Sequence, residues 1–138
     1  MYEVKEQMKI INASGKRKQA VARATLRPGS GKIRVNKVIL DFHTPVMSRV
    51  KIGEPLILAG DIIKNIDVDV NIFGGGTSSQ AEAARLAIAR ALVEFDKKLE
   101  KVFLDYDRQL IVADVRRKET RKPNRHGKAR AKTQKSYR

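Results

Sequence analysis

From position 74 to 79 the chain reads Gly-Gly-Gly-Thr-Ser-Ser, and no other segment has residue types better suited to hold a small ligand. Glycines let backbone N–H groups approach an anion, and hydroxyls add donors. Between a strand and a helix N-terminus, such a turn favours phosphate. The same residues also make sense without a ligand: three glycines form a tight turn while Thr77 and Ser79 cap the next helix. The segment is no Walker loop, because a closing Lys-Ser or Lys-Thr is missing and the next cation is Arg85. Other chemistry is thinner still. His43 and His126 stand apart from each other with no cysteine partner; a site shared with Asp41 competes with a plain turn histidine, the simpler reading. Ser14 precedes Gly15 without a nucleophile-elbow pattern, and no residue pair is spaced for general acid–base work. No catalytic residue, metal ligand, cofactor or small-molecule substrate is expected.

The dominant chemical group is instead the cation. The 138 residues include 30 Lys and Arg against 15 Asp and Glu, a formal charge of +15. The excess is concentrated: positions 115–138 hold 11 bases and one acid, Glu119, and positions 7–40 hold nine bases and no acid. Lys97, Lys98 and Lys101 alternate with Glu94, Asp96 and Glu100 and read as a solvated helix face. Long runs without acids are different, since uncompensated like charge is unfavourable unless a polyanion neutralises it. The candidate phosphate contacts are Lys16, Arg17, Lys18, Arg23, Arg27, Lys32 and Arg34 in the first region. In the second they are Arg116, Arg117, Lys118, Arg121, Lys122, Arg125, Lys128, Arg130, Lys132 and Lys135. Arginine is abundant among them, and its planar fork suits phosphate. Contacts of this kind position a protein without reading bases, so they do not choose RNA over DNA.

A membrane partner is not expected. The longest clean apolar runs, such as Leu56 to Ala59, are far short of the roughly 20 residues a span needs, and the first residues do not resemble a signal peptide. Without cysteine, disulfides and thiolate zinc sites are excluded.

The elements that must position the cations follow from periodicity. A first strand is expected over 8–13, with a bend at Ser14-Gly15. Residues 20–27 alternate, with Ala20, Ala22, Ala24 and Leu26 on one face. Pro28-Gly29 is a turn, and Lys32 to Asn36 is the partner strand. The two form a hairpin whose outer face carries Arg23, Arg27, Lys32 and Arg34. Thr44-Pro45 opens a helical region, which Gly53 and Pro55 divide into two short helices and Gly60 closes. Ile66, Val68, Val70 and Ile72 alternate strictly with Asp67, Asp69 and Asn71, the pattern of a strand with one buried face. After the glycine turn comes the longest helix. Thr77 with Gln80 and Ser79 with Glu82 offer capping boxes, and Ala84, Ile88, Leu92, Phe95, Leu99 and Phe103 form one apolar stripe. Glu94 and Lys98 are placed to pair across one turn. Residues 108–114 fit neither period. The tail has too little apolar surface to offset its ordering entropy, so alone it should be disordered. The fold class is α/β (α+β), a two-layer sandwich of about four strands with helices on one face. It divides into a body, 1–114, and an extended basic tail, 115–138.

Two families share patterns with these residues. The glycine turn resembles the Gly-Leu-Gly-Ser-Ser-Ala loop of the GHMP small-molecule kinases, although such a kinase needs a second, substrate-binding lobe. The wider match is to the S9 family of ribosomal proteins, the ninth protein of the small subunit. Gly74 to Gln80 with Ala83, Ala87, Ala89, Arg90, Ala91 and Leu92 resembles its signature. So do Gly15-Lys16-Arg17-Lys18, Ala22-Arg23, the run from Arg27 to Lys32, Asp107-Arg108, and Asp114 through Lys118.

That resemblance implies a structural, non-catalytic protein of the cytoplasmic small subunit, seated in its head. The implied partners are small-subunit rRNA, bound by body and tail, and neighbouring head proteins. It also implies a tail whose last residues, Tyr137 and Arg138 here, reach the anticodon arm of peptidyl-site tRNA. The bacterial branch ends Ser-Lys-Arg; the ending Ser136-Tyr137-Arg138 is similar to the archaeal and eukaryotic branch and lacks the penultimate Lys. The family fold further implies a left-handed βαβ crossover, against a general right-handed rule of about 98%. A chromatin-type DNA-coating protein and a fragmentary kinase using residues 74–79 are the competing readings.

Overall fold

The computed structural model describes residues 9–130 and 136–138. The strand predicted around Ile66 to Ile72 sits at the centre of the architecture. As β5, Ile66–Phe73, it buries Ile66, Val68, Val70 and Ile72 and turns Asp67, Asp69 and Asn71 the other way. Around it the strands are β1 (Ile11–Arg17), β2 (Ala20–Pro28), β3 (Ile33–Val35) and β4 (Val38–Ile39), in the spatial order β1-β2-β5-β3-β4. β2 is antiparallel to β5, and β3 is parallel to it. Among the described residues the sheet thus has five strands, close to the four or so expected.

The expected hairpin across Pro28-Gly29 does not form, because β5 inserts between β2 and β3. The reason lies in where the loop's N–H groups go. Gly29 and Gly31 donate to the carbonyls of Asn65 and Ile66 at 3.0 and 3.1 Å. Ser30 and Lys32 both donate to Asp67 Oδ1 at 2.9 Å. The loop therefore straps over the start of β5 instead of turning back on β2. Tight turns occur elsewhere. Lys18-Gln19 joins β1 to β2, and Asn36-Lys37, both at positive φ (48 and 69°), joins β3 to β4.

The first strand is also displaced. It continues through Ser14-Gly15 to Arg17, so the glycine makes no bend. It is a contact point: a Cβ on Gly15 would lie 2.2 Å from the Ala83 carbonyl oxygen and 2.7 Å from the Ala87 nitrogen. Small residues on both sides let a helix lie against the sheet backbone.

That helix, α2 (Thr77–Phe95), packs across β1, β2 and β5, and α1 (Val46–Ala59) packs on α2. α1 is one helix, not two. Pro55 lies inside it and cannot donate to the carbonyl one turn back, yet Ile52, Pro55, Leu56 and Ala59 form a buried face that holds the helix together. Its N-cap is Pro45, with no side-chain cap, and Gly60 closes it. The long apolar stripe is split, since α2 ends at Phe95 and a separate α3 spans Lys98–Tyr106. Asp96 is extended and its Oδ1 accepts the Lys98 N–H at 3.0 Å, which starts a new helix. Leu99 and Phe103 are buried all the same, now from α3. Glu94 and Lys98 fall on different helices and make no ion pair among the described residues. Residues Arg108–Leu110 form a 3-10 turn that plants Leu110 in the core.

The result is a two-layer α+β fold with a single apolar core between sheet and helices. Each fully buried aliphatic side chain there, such as Leu26, Ile88 or Leu92, contributes about 1.5–3 kcal/mol of burial free energy. The opposite face of the sheet is left to solvent.

Candidate nucleic-acid interface

The alternation that buries Ala20, Ala22, Ala24 and Leu26 sends Arg23 and Arg27 to the open face. Arg34 on β3 reaches the same face from across β5, and Lys32 is exposed beside it. All four cations named for this face are therefore exposed. The register also places acids among them: Arg27 lies opposite Asp67, and Asp69 sits between Thr25 and Arg34. Arg27 Nη2 is 2.6 Å from Asp69 Oδ2, and Arg34 Nε is 3.8 Å from Oδ1. Exposed pairs of this kind contribute about 0–1 kcal/mol, so Asp69 orients the two arginines more than it neutralises them. The Arg23 guanidinium stands 5.8 Å above the Phe73 ring. Asp67 is held below the usual carboxylate range by the N–H of Lys32 and then that of Ser30. The mixture of acids into this face becomes visible only when the strand order is known.

Arg17 does not belong to the exposed set. It follows Ile11, Ala13 and Gly15 on the covered side of β1, and its side chain is 14% exposed. Its Nε donates to Glu82 Oε2 at 2.6 Å. Its Nη1 is 2.9 Å from Asp114 Oδ2, an ion contact outside hydrogen-bond geometry. Lys51 Nζ meets the other Glu82 oxygen at 3.0 Å. Burial pulls the Glu82 carboxyl upward, but hydrogen bonds from Lys51 and Arg17 outweigh it and hold the group below its ordinary value. Arg85, equally inward, pairs with Glu54 at 2.6 Å and Asp107 at 3.0 Å. Arg17 thus ties the end of β1 to α2 and to Asp114. The period-two phase shared with Ile11 and Ala13 was the signal for this.

Gly74 and Gly75 have φ of +74 and +66°, and a Cβ on them would stand 2.6 Å from the Gln19 carbonyl oxygen and 2.9 Å from the Ala20 nitrogen. The turn is pressed against the β1–β2 connection. Neither capping box forms: the N-cap is Gly76 without a side-chain cap, Gln80 Nε2 donates to the Gly74 carbonyl at 3.0 Å, and Glu82 is engaged by Arg17 and Lys51. Over this turn lies a hollow lined by Lys16, Lys18, Arg116, Arg117 and Lys118, with Gly75, Gly76 and Ser79 along it.

Beyond the hollow, Arg121, Lys122, Arg125 and Lys128 are exposed. The Lys122 N–H donates to the Lys128 carbonyl at 2.8 Å, and the tail's one acid, Glu119, takes the Arg130 fork at 2.7 and 2.8 Å. Lys132 and Lys135 lie outside the described residues. Tyr137 and Arg138 are exposed. Among the described residues no three His, Asp or Glu side chains cluster as metal ligands would, and no helix is long and apolar enough to cross a membrane.

Sheet and helices thus define a basic two-layer α+β protein whose cations lie on an open sheet face, in a hollow and along an exposed tail. Residues 15–138 match the family model described as ribosomal protein S9/S16. The small ribosomal subunit protein uS9 of Methanococcus vannielii is 52% identical over 134 residues, 95% of this chain and all of that one. Those of Methanococcus maripaludis strain C7 and Methanothrix thermoacetophila are 51% and 47% identical, over 95% of this chain and all of theirs. The chain belongs to the ribosomal protein S9 family. It is accordingly a structural protein and not an enzyme.

Proposed function

We propose that the chain is a structural constituent of the cytoplasmic small ribosomal subunit, where it binds small-subunit rRNA through its body and its tail. The observation that carries this is the state of the tail's cations. Arg117, Lys118, Arg121, Lys122, Arg125 and Lys128 are all exposed and make no ion pair among the described residues. Six such charges within twelve residues call for an external polyanion, and binding would release the counterions held on it. Arg23, Lys32 and the Asp69-oriented Arg27 and Arg34 add contacts from the sheet.

In this account residues 1–114 form the seated body and residues 115–138 the extended tail, ordered by the rRNA it crosses. Twenty-four extended residues reach roughly 80 Å, enough to bring Tyr137 and Arg138 to the anticodon arm of peptidyl-site tRNA. Tyr137, 88% exposed, has no packing role in the body and is available for stacking. Neighbouring proteins of the head would cover apolar side chains left open on the body, among them Phe42 and Met47 at 75% and 76% exposure.

The test is sedimentation with small subunits lacking their own copy. The full chain should travel with them through a high-salt wash, and a chain ending at Asp114 should be washed off. Loss of both alike would overturn the proposal.

A further inference from the structure

One acid stands where simple electrostatics would forbid it. Asp114 lies at the root of the tail beside Arg17 and Arg116, where a carboxylate repels any polyanion. Its contacts show its use. Oδ1 accepts from the Arg116 backbone N–H at 2.8 Å and from Nε at 3.1 Å, and Oδ2 accepts from Nε at 3.0 Å and Nη2 at 2.7 Å. Oδ2 also lies 2.9 Å from Arg17 Nη1, and Arg17 is fixed in turn by Glu82 on α2. Asp114 therefore bolts the first residues of the tail to β1 and α2 through an inward arginine. The chain leaving this anchor lays Arg116, Arg117 and Lys118 beside Lys16 and Lys18. The hollow they share is lined by these five cations and by no acid.

We propose that this hollow is a preformed seat for a stretch of RNA backbone, and that Asp114 is the positioning residue that builds it. The inference rests on the RNA-binding function above and adds where the body and tail grip one backbone together. Cations gathered from a free chain lose conformational entropy when they bind; cations already tethered at Asp114 have lost much of it beforehand. The repulsion from a single, already paired carboxylate is the smaller effect.

The two effects have opposite signs in one experiment: binding of the full chain to small-subunit rRNA at several salt concentrations. Asp114→Asn raises the net charge by one, so charge alone predicts tighter binding. A seat built by Asp114 predicts binding weaker by about three- to tenfold, with Asp114→Glu restoring most of it. Thermal unfolding of each variant separates positioning from loss of the fold. A second comparison leaves the anchor untouched. Lys18→Ala should weaken binding and lower the slope of log K against log salt by about 0.7–0.9, whereas Lys98→Ala, on the solvated face of α3, should do much less. Asn at 114 binding as well as the native residue, or equal effects at 18 and 98, would overturn the seat. A native chain that prefers duplex DNA to rRNA would instead overturn the function on which it rests.

Discussion

Arg17 and Asp114 lie 2.9 Å apart, joining the end of the first strand to the root of the tail. Arg17 is only 14% exposed and also holds Glu82 at 2.6 Å, so its removal leaves two carboxylates without their shared cation. Arg17→Ala should destabilise the fold by about 2 kcal/mol. Arg27→Ala, at a half-exposed pair with Asp69, should cost less than about 1 kcal/mol. Denaturant unfolding of the two variants checks this; equal losses would show that Arg17 is an ordinary surface cation.

The same carboxylates predict the response to acid. Arg116 holds Asp114 well below the usual range, first through its side chain and then through its backbone N–H. The Gln109 N–H, and then Arg85 against some burial, lowers Asp107 also. Glu82 is lowered as well, from an ordinary 4.5. Below that value the unfolded chain binds more protons than the folded one, so stability rises with pH there. It should be fully present above about pH 5 and be lost as pH falls through the lowered folded values. Unfolding followed against pH should show this fall, and Glu82→Gln should flatten it. A curve that is level below pH 4.5, or unchanged by Glu82→Gln, would contradict the assignment.

The glycine turn separates geometry from ligand. At Gly75 both the positive φ and the Ala20 backbone oppose a side chain, whereas at Gly76 nothing lies within 4 Å of a Cβ. Gly75→Val should therefore cost about 1–3 kcal/mol or more, and Gly76→Ala should stay within about 0.5 kcal/mol. Melting temperatures of the two settle the matter. Tight ATP binding, lost on Ser78→Ala with folding unchanged, would show that the turn holds a ligand after all.

The last three residues are predicted to act on tRNA rather than on assembly. A chain lacking residues 136–138 should enter small subunits normally and retain peptidyl-site tRNA less well. Removal from Arg116 onward should impair entry as well. Filter binding of tRNA to subunits carrying each truncation measures both, and unchanged retention after the three-residue deletion would reject the role of Tyr137 and Arg138.

Local patterns in the sequence carried much of this architecture. The alternation from Ile66 to Ile72 marked the central strand because each apolar residue there faces one core. The left-handed turn at Gly74 and Gly75 was legible because few other residues tolerate it. Strand order was not legible. Pro28-Gly29 looks like a hairpin turn locally, but Asn65, Ile66 and Asp67, some 35 residues further on, capture the loop's N–H groups and make it a crossover. The break between α2 and α3 was hidden for a related reason, since the apolar stripe continues in phase while Asp96 alone redirects the chain. Among the site residues, exposure of Arg23, Arg27, Lys32 and Arg34 followed from alternation. The inward side of Arg17 was legible in its phase with Ile11 and Ala13, but its partners Glu82 and Asp114 lie far away in sequence.

If the tail is a principal phosphate-binding element, the salt dependence of binding to small-subunit rRNA must report its cations. For the full chain, log K should fall against log salt with a slope of about −4 or steeper, and removal of residues 115–138 should cut that slope by about half or more. An unchanged slope after truncation would mean that the tail's cations meet no phosphate, and would contradict the account.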